Sequence, residues 1–117
     1  MENNKQITMK VAVSTDGDSV APHFGRCESY TIAEIENGQV KSRQSVGNPG
    51  HEPGFLPRYL DEQGVTCIVA GGMGSYAKQL FDEKNIQTVV GVSGPVDEAL
   101  AALARGEIQS GESTCAH

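Results

Sequence analysis

The hydrophobic pattern of the first part of the chain predicts three strands. A short apolar run, Met9–Val13, is followed by polar and turn-forming residues and predicts a buried strand. Tyr30–Ile35 is rich in β-branched and aromatic residues, which favour strands. Asn37 and Gly38 then supply the pair of positive-φ residues that a tight hairpin turn requires. We therefore expect Gln39–Ser45 to return as a third strand, antiparallel to the second.

In the rest of the chain, helical patterns alternate with short apolar runs. Apolar residues three and four positions apart, as on one face of a helix, occur in Phe55–Leu60, Tyr76–Phe81 and Val96–Leu103. Two apolar runs, Cys67–Ala70 and Thr88–Val90, are too short for helices and predict buried strands. The predicted order of elements is β-β-β-α-β-α-β-α.

This order predicts an α/β fold with a mixed sheet. The hairpin makes strand 2 antiparallel to strand 3, and right-handed βα crossovers make strands 4 and 5 parallel to their neighbours. We expect a ribonuclease H-like, five-stranded mixed sheet in the order 3-2-1-4-5, with strand 2 antiparallel and three helices on its faces. The expected domain spans residues 9–106, between a flexible N-terminus (1–8) and a C-terminal tail (107–117).

Composition and charge narrow the classes of function. The chain has 117 residues, which suits a single domain, and an aromatic share of 5% without Trp, so the core must be mostly aliphatic. The formal net charge of −6 excludes a nucleic-acid binder that works through a broad basic surface, and a polybasic membrane-surface protein. No run approaches the ~18 apolar residues of a membrane span.

The three cysteines and the start of the chain lead us to expect a cytoplasmic protein. Met1–Gln6 is polar, and no apolar segment of a secretory signal follows it. Cys27, Cys67 and Cys115 are odd in number and widely spaced, so they form a poor disulfide framework. Free thiols in a reducing compartment serve as core residues, reactive groups or metal ligands, and Cys67, inside an apolar run, is expected to be a core residue.

The candidate chemistry gathers at one predicted edge of the sheet. Ligands of open α/β sheets bind beyond the carboxyl ends of the parallel strands. The loop after strand 1 carries His23, Arg26 and Cys27, and the loops after strands 4 and 5 lead into helix N-termini. The candidate binding residues are His23, Arg26, Cys27, Gly71, Gly72, Met73 and Gly74, with Gly91–Gly94 in the neighbouring loop.

These residue types suit an anionic ligand that contains a metal. Helix N-termini and glycine loops present N–H groups to anions. Cys and His donors select iron, copper or zinc over magnesium. The sequence has neither a C-x-x-C pair nor an H-x-x-x-H motif, so a closed four-ligand zinc site is not expected. An open site that gives one or two ligands, His23 and Cys27, to a preformed cluster fits better.

Each candidate also has a structural interpretation. His23 could simply bond the backbone of its loop, and Cys27 could be a small, half-buried hydrophobic residue. Gly71–Gly74 could be a strand–helix turn that needs close packing; it lacks the Lys of a P-loop and the G-x-G-x-x-G spacing. Met73 could fill the loop or the core.

Three donors outside this edge are alternative metal ligands. His51 lies in a loop rich in Gly and Pro and is expected to be solvated. Cys115 and His117 have a C-x-H spacing that can chelate a metal. The last helix, however, is expected to end at the opposite edge of the sheet, so the tail would have to return to reach the site.

Four segments form a recognisable combination: Met9–Ser14, Val20–Cys27 with its His-Phe-Gly-Arg motif, Gly71–Gly74 and Asn85-Ile86. Over about residues 9 to 108 they resemble the dinitrogenase iron–molybdenum cofactor biosynthesis family, which includes NifX- and NafY-like accessory proteins and the C-terminal domain of NifB. The resemblance implies a ribonuclease H-like fold and a non-catalytic protein that binds or carries an iron–sulfur or iron–molybdenum cofactor precursor. The family's cofactor-associated His falls on His23, and Cys27 is a natural thiolate partner.

Two other classes of function remain open at this stage. A ribonuclease H-like hydrolase needs carboxylates that converge on divalent metals; Asp16, Asp18 and Glu34 are the available acids, and none stands in the middle of strands 1, 4 or 5. A small-anion or phosphate-binding interaction module would use the glycine loops alone. The expected partners are a metal cofactor precursor and cofactor-assembly proteins, with no nucleic acid and no membrane, and an exposed edge strand leaves the oligomeric state open.

Overall fold

Six strands and three helices make up the part of the chain that the structure describes. The structure is a computed structural model, and it describes residues 8–48 and 55–106. The elements are β1 (Thr8–Asp16), β2 (Ser19–Val20), β3 (Ser29–Glu36), β4 (Gln39–Gly47), α1 (Phe55–Glu62), β5 (Cys67–Val69), α2 (Ser75–Glu83), β6 (Gln87–Val89) and α3 (Val96–Ala104). His51, Cys115 and His117 lie outside the described residues, as do residues 1–7 of the predicted N-terminus and the tail, whereas Thr8 already belongs to β1.

The strands form one mixed sheet. Its main path runs β4-β3-β1-β5-β6. The β1–β3 and β3–β4 pairs are antiparallel, whereas β1–β5 and β5–β6 are parallel. Asn37 and Gly38, with φ angles of 52° and 84°, form the predicted hairpin turn between β3 and β4. The mixed α/β class and the three helices are confirmed.

A sixth strand makes the five-strand prediction wrong. β2 pairs antiparallel with the end of β1, and Gly17, at a φ of 62°, lies in the turn between them. From the sequence this segment was expected to be loop, because two residues are too short to show a period-2 pattern. Long-range contacts hold it in place: the Val20 N–H donates to the Gly94 carbonyl over 2.8 Å.

The sheet has a hydrophobic core on each face. On one face Val11 and Val13 of β1 pack with Leu100 of α3. On the other face Ala12 packs in a cluster that includes Leu60 of α1 and Phe81 of α2. This period-2 division of β1 is why its predicted apolar run is continuous: both faces of the strand are covered.

The parallel strands place three connections at one end of the sheet. β1, β5 and β6 run in the same direction, so the segments that follow Asp16, Val69 and Val89 leave from the same edge. No helix among residues 8–48 and 55–106 is long and apolar enough to cross a membrane.

Candidate functional site

The segment that carries His23 and the Gly71–Gly74 turn are joined backbone to backbone. The Gly71 N–H donates to the Ala21 carbonyl over 2.9 Å, and the Phe24 N–H donates to the Gly72 carbonyl over 2.9 Å. The two loops that were expected to share an edge therefore contact each other directly.

Glycine is required where the two loops meet. A Cβ atom on Gly71 would lie 2.8 Å from the Cα of Pro22, and one on Gly72 would lie 3.1 Å from the Pro22 carbonyl oxygen. The absent side chains let the two backbones approach. The structural interpretation of this turn thus holds for Gly71, whose N–H is already engaged and is not free for an anion.

The N-terminus of α2 follows directly on the Gly71–Gly74 turn. Its N-cap is Gly74, which has no side chain to accept a hydrogen bond. Among residues 8–48 and 55–106, no acceptor faces the N–H groups of Ser75, Tyr76 and Ala77. Such unpaired N–H groups carry the positive end of the helix dipole, so this helix end suits an anion.

His23 lies beside the turn that leads into α2. Its Nδ1 atom is 4.0 Å from the position that a Cβ atom of Gly72 would take, and its side chain is exposed. Arg26 is exposed in the same turn, and its N–H donates a long hydrogen bond of 3.4 Å to the His23 carbonyl. One imidazole and one guanidinium therefore stand on the solvent side of the turn.

Phe24 anchors this turn from below. Its ring lies 5.2 Å from the ring of Phe81 in an edge-to-face arrangement and 5.8 Å from the ring of Tyr30. Gly25 follows at a φ of 92°, a conformation that favours glycine. The turn thus packs its half-buried aromatic residue against the core and exposes its two polar residues. Met73, half-buried, packs against the same cluster.

Cys27 lies beneath the turn rather than on it. Its side chain is only 6% exposed and belongs to the cluster that contains Tyr30. The Asn48 side-chain amide donates to the Cys27 carbonyl over 2.9 Å and to the Gly25 carbonyl over 3.3 Å. His23 and Cys27 are therefore close in the chain but differ sharply in access to solvent.

Tyr30 is the immediate neighbour of Cys27. Burial raises the pKa of Tyr30 above its usual value, and the adjacent Cys27 side chain raises that pKa further, while the Gly25 backbone acts in the opposite direction. No functional role was expected for Tyr30 from the sequence, because a separation of three residues across a loop and a strand start does not predict contact.

The carboxylates of Asp16 and Glu28 connect the two ends of the loop that carries His23. The Asp16 Oδ1 atom accepts a hydrogen bond of 2.8 Å from the Glu28 N–H, and the Glu28 Oε1 atom accepts one of 3.0 Å from the Gly17 N–H. These acids hold backbone groups. Within the part of the chain that the structure describes, no group of three or more His, Cys, Asp or Glu side chains could hold a metal ion.

The N-terminus of α3 differs from that of α2. The Val96 N–H donates to the Asp18 carbonyl over 2.9 Å, and Ser19 bridges Pro95. The turn between β1 and β2 therefore engages the first N–H group of α3. Two helix N-termini were expected at this edge as anion sites, and they differ in this respect.

Cys67 is a core residue, as expected. It is 1% exposed in the cluster on the α3 side of the sheet, and burial raises the pKa of its thiol to about 11. A thiol in that state is a poor nucleophile and a poor metal ligand at neutral pH.

Comparison with known proteins gives one family and several relatives. The family model of the dinitrogenase iron–molybdenum cofactor family matches residues 7–106. The protein MJ0580 of Methanocaldococcus jannaschii is 30% identical over 109 residues, which cover 89% of this chain and 92% of the relative.

Two solved structures share the fold. The crystal structure of MJ0327 of Methanocaldococcus jannaschii has a TM-score of 0.74 at 26% identity, over 89% of this chain and 95% of that one. The apo form of the orange protein from Desulfovibrio gigas has a TM-score of 0.73 at 18% identity, over 87% of this chain and 92% of that one, which shows a common fold.

Proposed function

The chain belongs to the dinitrogenase iron–molybdenum cofactor family, and from this membership we propose that it binds and carries a metal cluster without catalysing a reaction. The cargo is an iron–sulfur or iron–molybdenum-type cluster, or its precursor. The observation that carries the proposal is the exposed imidazole of His23 beside the turn that leads into the uncapped N-terminus of α2.

The donor set fits an anionic cluster. The free N–H groups of α2 and the Arg26 guanidinium offer positive charge, and the His23 imidazole offers a ligand to a borderline metal such as iron. A preformed cluster brings its own sulfide ligands, so one imidazole is enough to anchor it. Gly72, Met73 and Gly74 form the turn that leads into α2. Gly71 holds that turn against the loop that carries His23.

Cys27 is the second ligand in this proposal. Because its side chain is 6% exposed, the turn of His23 and Arg26 must move before the thiol can reach a metal. We expect His23 to make the first contact and Cys27 to secure the cargo afterwards. His51, Cys115 and His117 remain alternative ligands.

The proposal also includes the domain that binds the cargo, its compartment and its partners. The binding unit is the single domain of residues 9–106, which works in the cytoplasm and exchanges cargo with cofactor-assembly proteins. The strand path β4-β3-β1-β5-β6 supports the ribonuclease H-like description of the fold. A fold of this kind does not by itself imply hydrolysis.

Anaerobic isolation and reconstitution test the proposal. We expect the wild type to acquire visible charge-transfer absorption with iron and sulfide, or with tetrathiomolybdate, a simple anion that contains molybdenum and sulfide. His23→Ala should weaken binding about tenfold or more, which corresponds to about 1.4 kcal/mol. Ser42→Ala, at an exposed position of β4 outside the candidate site, is the matched control and should bind as the wild type does.

Two results would contradict the proposal at different levels. A colourless, metal-free wild type that takes up neither probe would overturn the carrier function. A double variant, His23→Ala with Cys27→Ala, that binds as tightly as the wild type would leave the function standing and overturn the site.

A further inference from the structure

A groove opens on the sheet face that packs against α1 and α2. Three strands, β1, β3 and β4, supply its lining, and its volume is about 300 Å³, at the lower end of the range of small-molecule sites. The lining residues are Lys10, Ile32, Glu34, Ser42, Arg43 and Gln44. The guanidinium of Arg43 bonds Asp97 of α3 and is therefore engaged. The remaining five side chains are the groups that a ligand would contact.

The register of the strands explains why these five side chains share one face. Lys10 of β1 lies opposite Glu34 of β3, and Glu34 lies opposite Ser42 of β4. In the next row, Ile32 lies opposite Gln44. Opposite residues of antiparallel strands leave the same face, and so do residues two apart in one strand. Because Ile32 is 2% exposed while Ser42 and Gln44 are exposed, the groove has an apolar floor and a polar rim.

The two charged side chains of the groove do not neutralise each other. Opposite charges that face each other on antiparallel strands stabilise a sheet, so Lys10 and Glu34 are placed to form an ion pair. Among the residues that the structure describes, no ion pair joins them. The Lys10 Cδ atom is instead 3.9 Å from the position that a Cβ atom of Gly64 would take. Gly64 precedes β5, on the other side of β1 from β3, so the Lys10 side chain leans away from Glu34.

We propose that this groove binds a free α-amino acid with an apolar side chain. The Lys10 ammonium donates to the carboxylate of the ligand, and the Glu34 carboxylate accepts from its ammonium group. One small molecule then supplies both opposite charges to the two half-buried side chains, through charge-assisted hydrogen bonds. The Ser42 hydroxyl and the Gln44 amide add polar contacts at the rim, and the side chain of the ligand covers Ile32.

The two charges of the groove disfavour simpler ions. Glu34 repels a simple anion and Lys10 repels a simple cation, so a molecule that carries both charges suits the groove better than either. The groove is also distinct from the candidate cluster site. About 20 Å of β1 separate Lys10 from Asp16, the last residue of the strand, at the edge where His23 lies. Amino-acid binding thus goes beyond the proposed function, and His23→Ala should leave it unchanged.

Titration of the metal-free protein, followed in amide NMR spectra, tests the proposal with L-valine, L-leucine and L-methionine as probes. We expect at least one of them to bind with a Kd of about 1 mM or below and to shift the amide signals of Ile32, Ser42 and Gln44. The N-acetyl form of that amino acid lacks the ammonium group, and its amide form lacks the carboxylate. Each should bind at least about tenfold more weakly, because each loses one charge-assisted contact.

Variants of the two charged residues test the same contacts from the side of the protein. Lys10→Met and Glu34→Gln should each weaken binding about tenfold or more. Lys41→Met and Glu83→Gln remove the same charges at exposed positions outside the groove, so they should bind as the wild type does. Should a groove variant fail to fold, the acetylated and amidated probes still test both contacts on the wild type. Absence of binding by all three amino acids, equal affinity for the modified forms, or signal shifts confined to the N-terminus of α2 would overturn the proposal.

Discussion

Gly71 positions the candidate site through the side chain that it lacks. Its backbone donates to Ala21 and accepts from the Gly91 N–H, both over 2.9 Å, so it links the His23 loop to the β5 and β6 connections. A methyl group at this position would meet backbone atoms, which cannot rotate away as a side chain can. The space at Gly71 is thus a condition for the contact between the loops.

We expect Gly71→Ala to destabilise the fold by about 1–3 kcal/mol, because the added Cβ must push Pro22 away. Urea denaturation measures this loss, and reconstitution with iron and sulfide should show weaker binding in parallel. Gly47→Ala is the control: nothing lies within 4 Å of its Cβ position, and its φ is ordinary. A Gly71→Ala protein as stable as Gly47→Ala would contradict the packing role.

We expect the buried thiol of Cys67 to make the free energy of unfolding depend on pH in the alkaline range. Burial raises the pKa of its thiol from the ordinary value of 9.0 to about 11 in the fold, so the folded thiol keeps a proton that the unfolded one loses. The stabilisation is therefore complete below about pH 9 and is lost as the pH rises to about 11, a total of about 3 kcal/mol.

Denaturation across this pH range should show the fall in the wild type and a smaller fall in Cys67→Ala. Tyr30, whose pKa is also raised, adds a decline in both proteins, so the difference between them isolates Cys67. Equal slopes in the two proteins would show that Cys67 does not titrate differently on folding.

At the scale of elements, the turn of residues 23–26 is an extension of the core. Phe24 joins it to Phe81 of α2 and Tyr30 of β3 through ring contacts, while His23 and Arg26 stay exposed. The packing of one face of the sheet therefore fixes the position of a solvent-facing imidazole. Phe24 should affect binding although it presents no donor to the cargo.

We expect Phe24→Ala to lose about 2 kcal/mol of stability and to weaken cluster binding several-fold, because the turn loses its anchor. The control is Phe55→Ala in α1, which removes a half-buried ring that stacks on Tyr59 at 5.8 Å. Both variants should be less stable by denaturation, but only Phe24→Ala should bind cargo less tightly under conditions where both are folded. Equal binding by the two variants would show that the turn does not contribute to cargo binding.

At the scale of the whole molecule, charge opposes the proposed cargo. The formal net charge is −6, and the cluster is an anion, so the long-range field repels it. In the proposed site, attraction comes at short range, from the N-terminus of α2, Arg26 and direct ligation. Long-range and short-range electrostatics therefore act with opposite signs on binding.

We expect the association rate with tetrathiomolybdate to rise as salt is added, because screening weakens the repulsion first; the Debye length falls from about 30 Å at 0.01 M to about 10 Å at 0.1 M. Stopped-flow absorbance measures this rate. A steep fall of the thiomolybdate rate with salt would mean that the local positive charge, with Arg26 at its centre, governs the approach.

Much of the architecture was predictable because it follows from local patterns. The Asn37-Gly38 turn, the three helix faces and the burial of Cys67 depend on residues near in the chain or on a regular period. The loops after β1 and β5 were also expected to share an edge, because parallel strands fix the direction in which they leave the sheet. The candidate ligands themselves remain a prediction.

The solvent exposure and hydrogen bonding of each candidate residue were not predictable in this way. The sequence does not distinguish the exposed His23 from the buried Cys27, which lie in one loop. Nor does it show that, within the described residues, the first N–H of α3 is bonded to Asp18 while the first N–H groups of α2 have no partner, since that depends on the β1–β2 turn meeting the start of α3 far along the chain.

The sequence by itself determined the class of fold, the family resemblance and the residue types at one edge of the sheet, because periodicity and turn chemistry are local properties. Only the tertiary structure decided which donors are free, which glycine is needed for packing, and which way the Lys10 side chain leans across the sheet. These are contacts between distant segments. Their formation depends on how the two faces of the sheet are filled, and no local pattern records that.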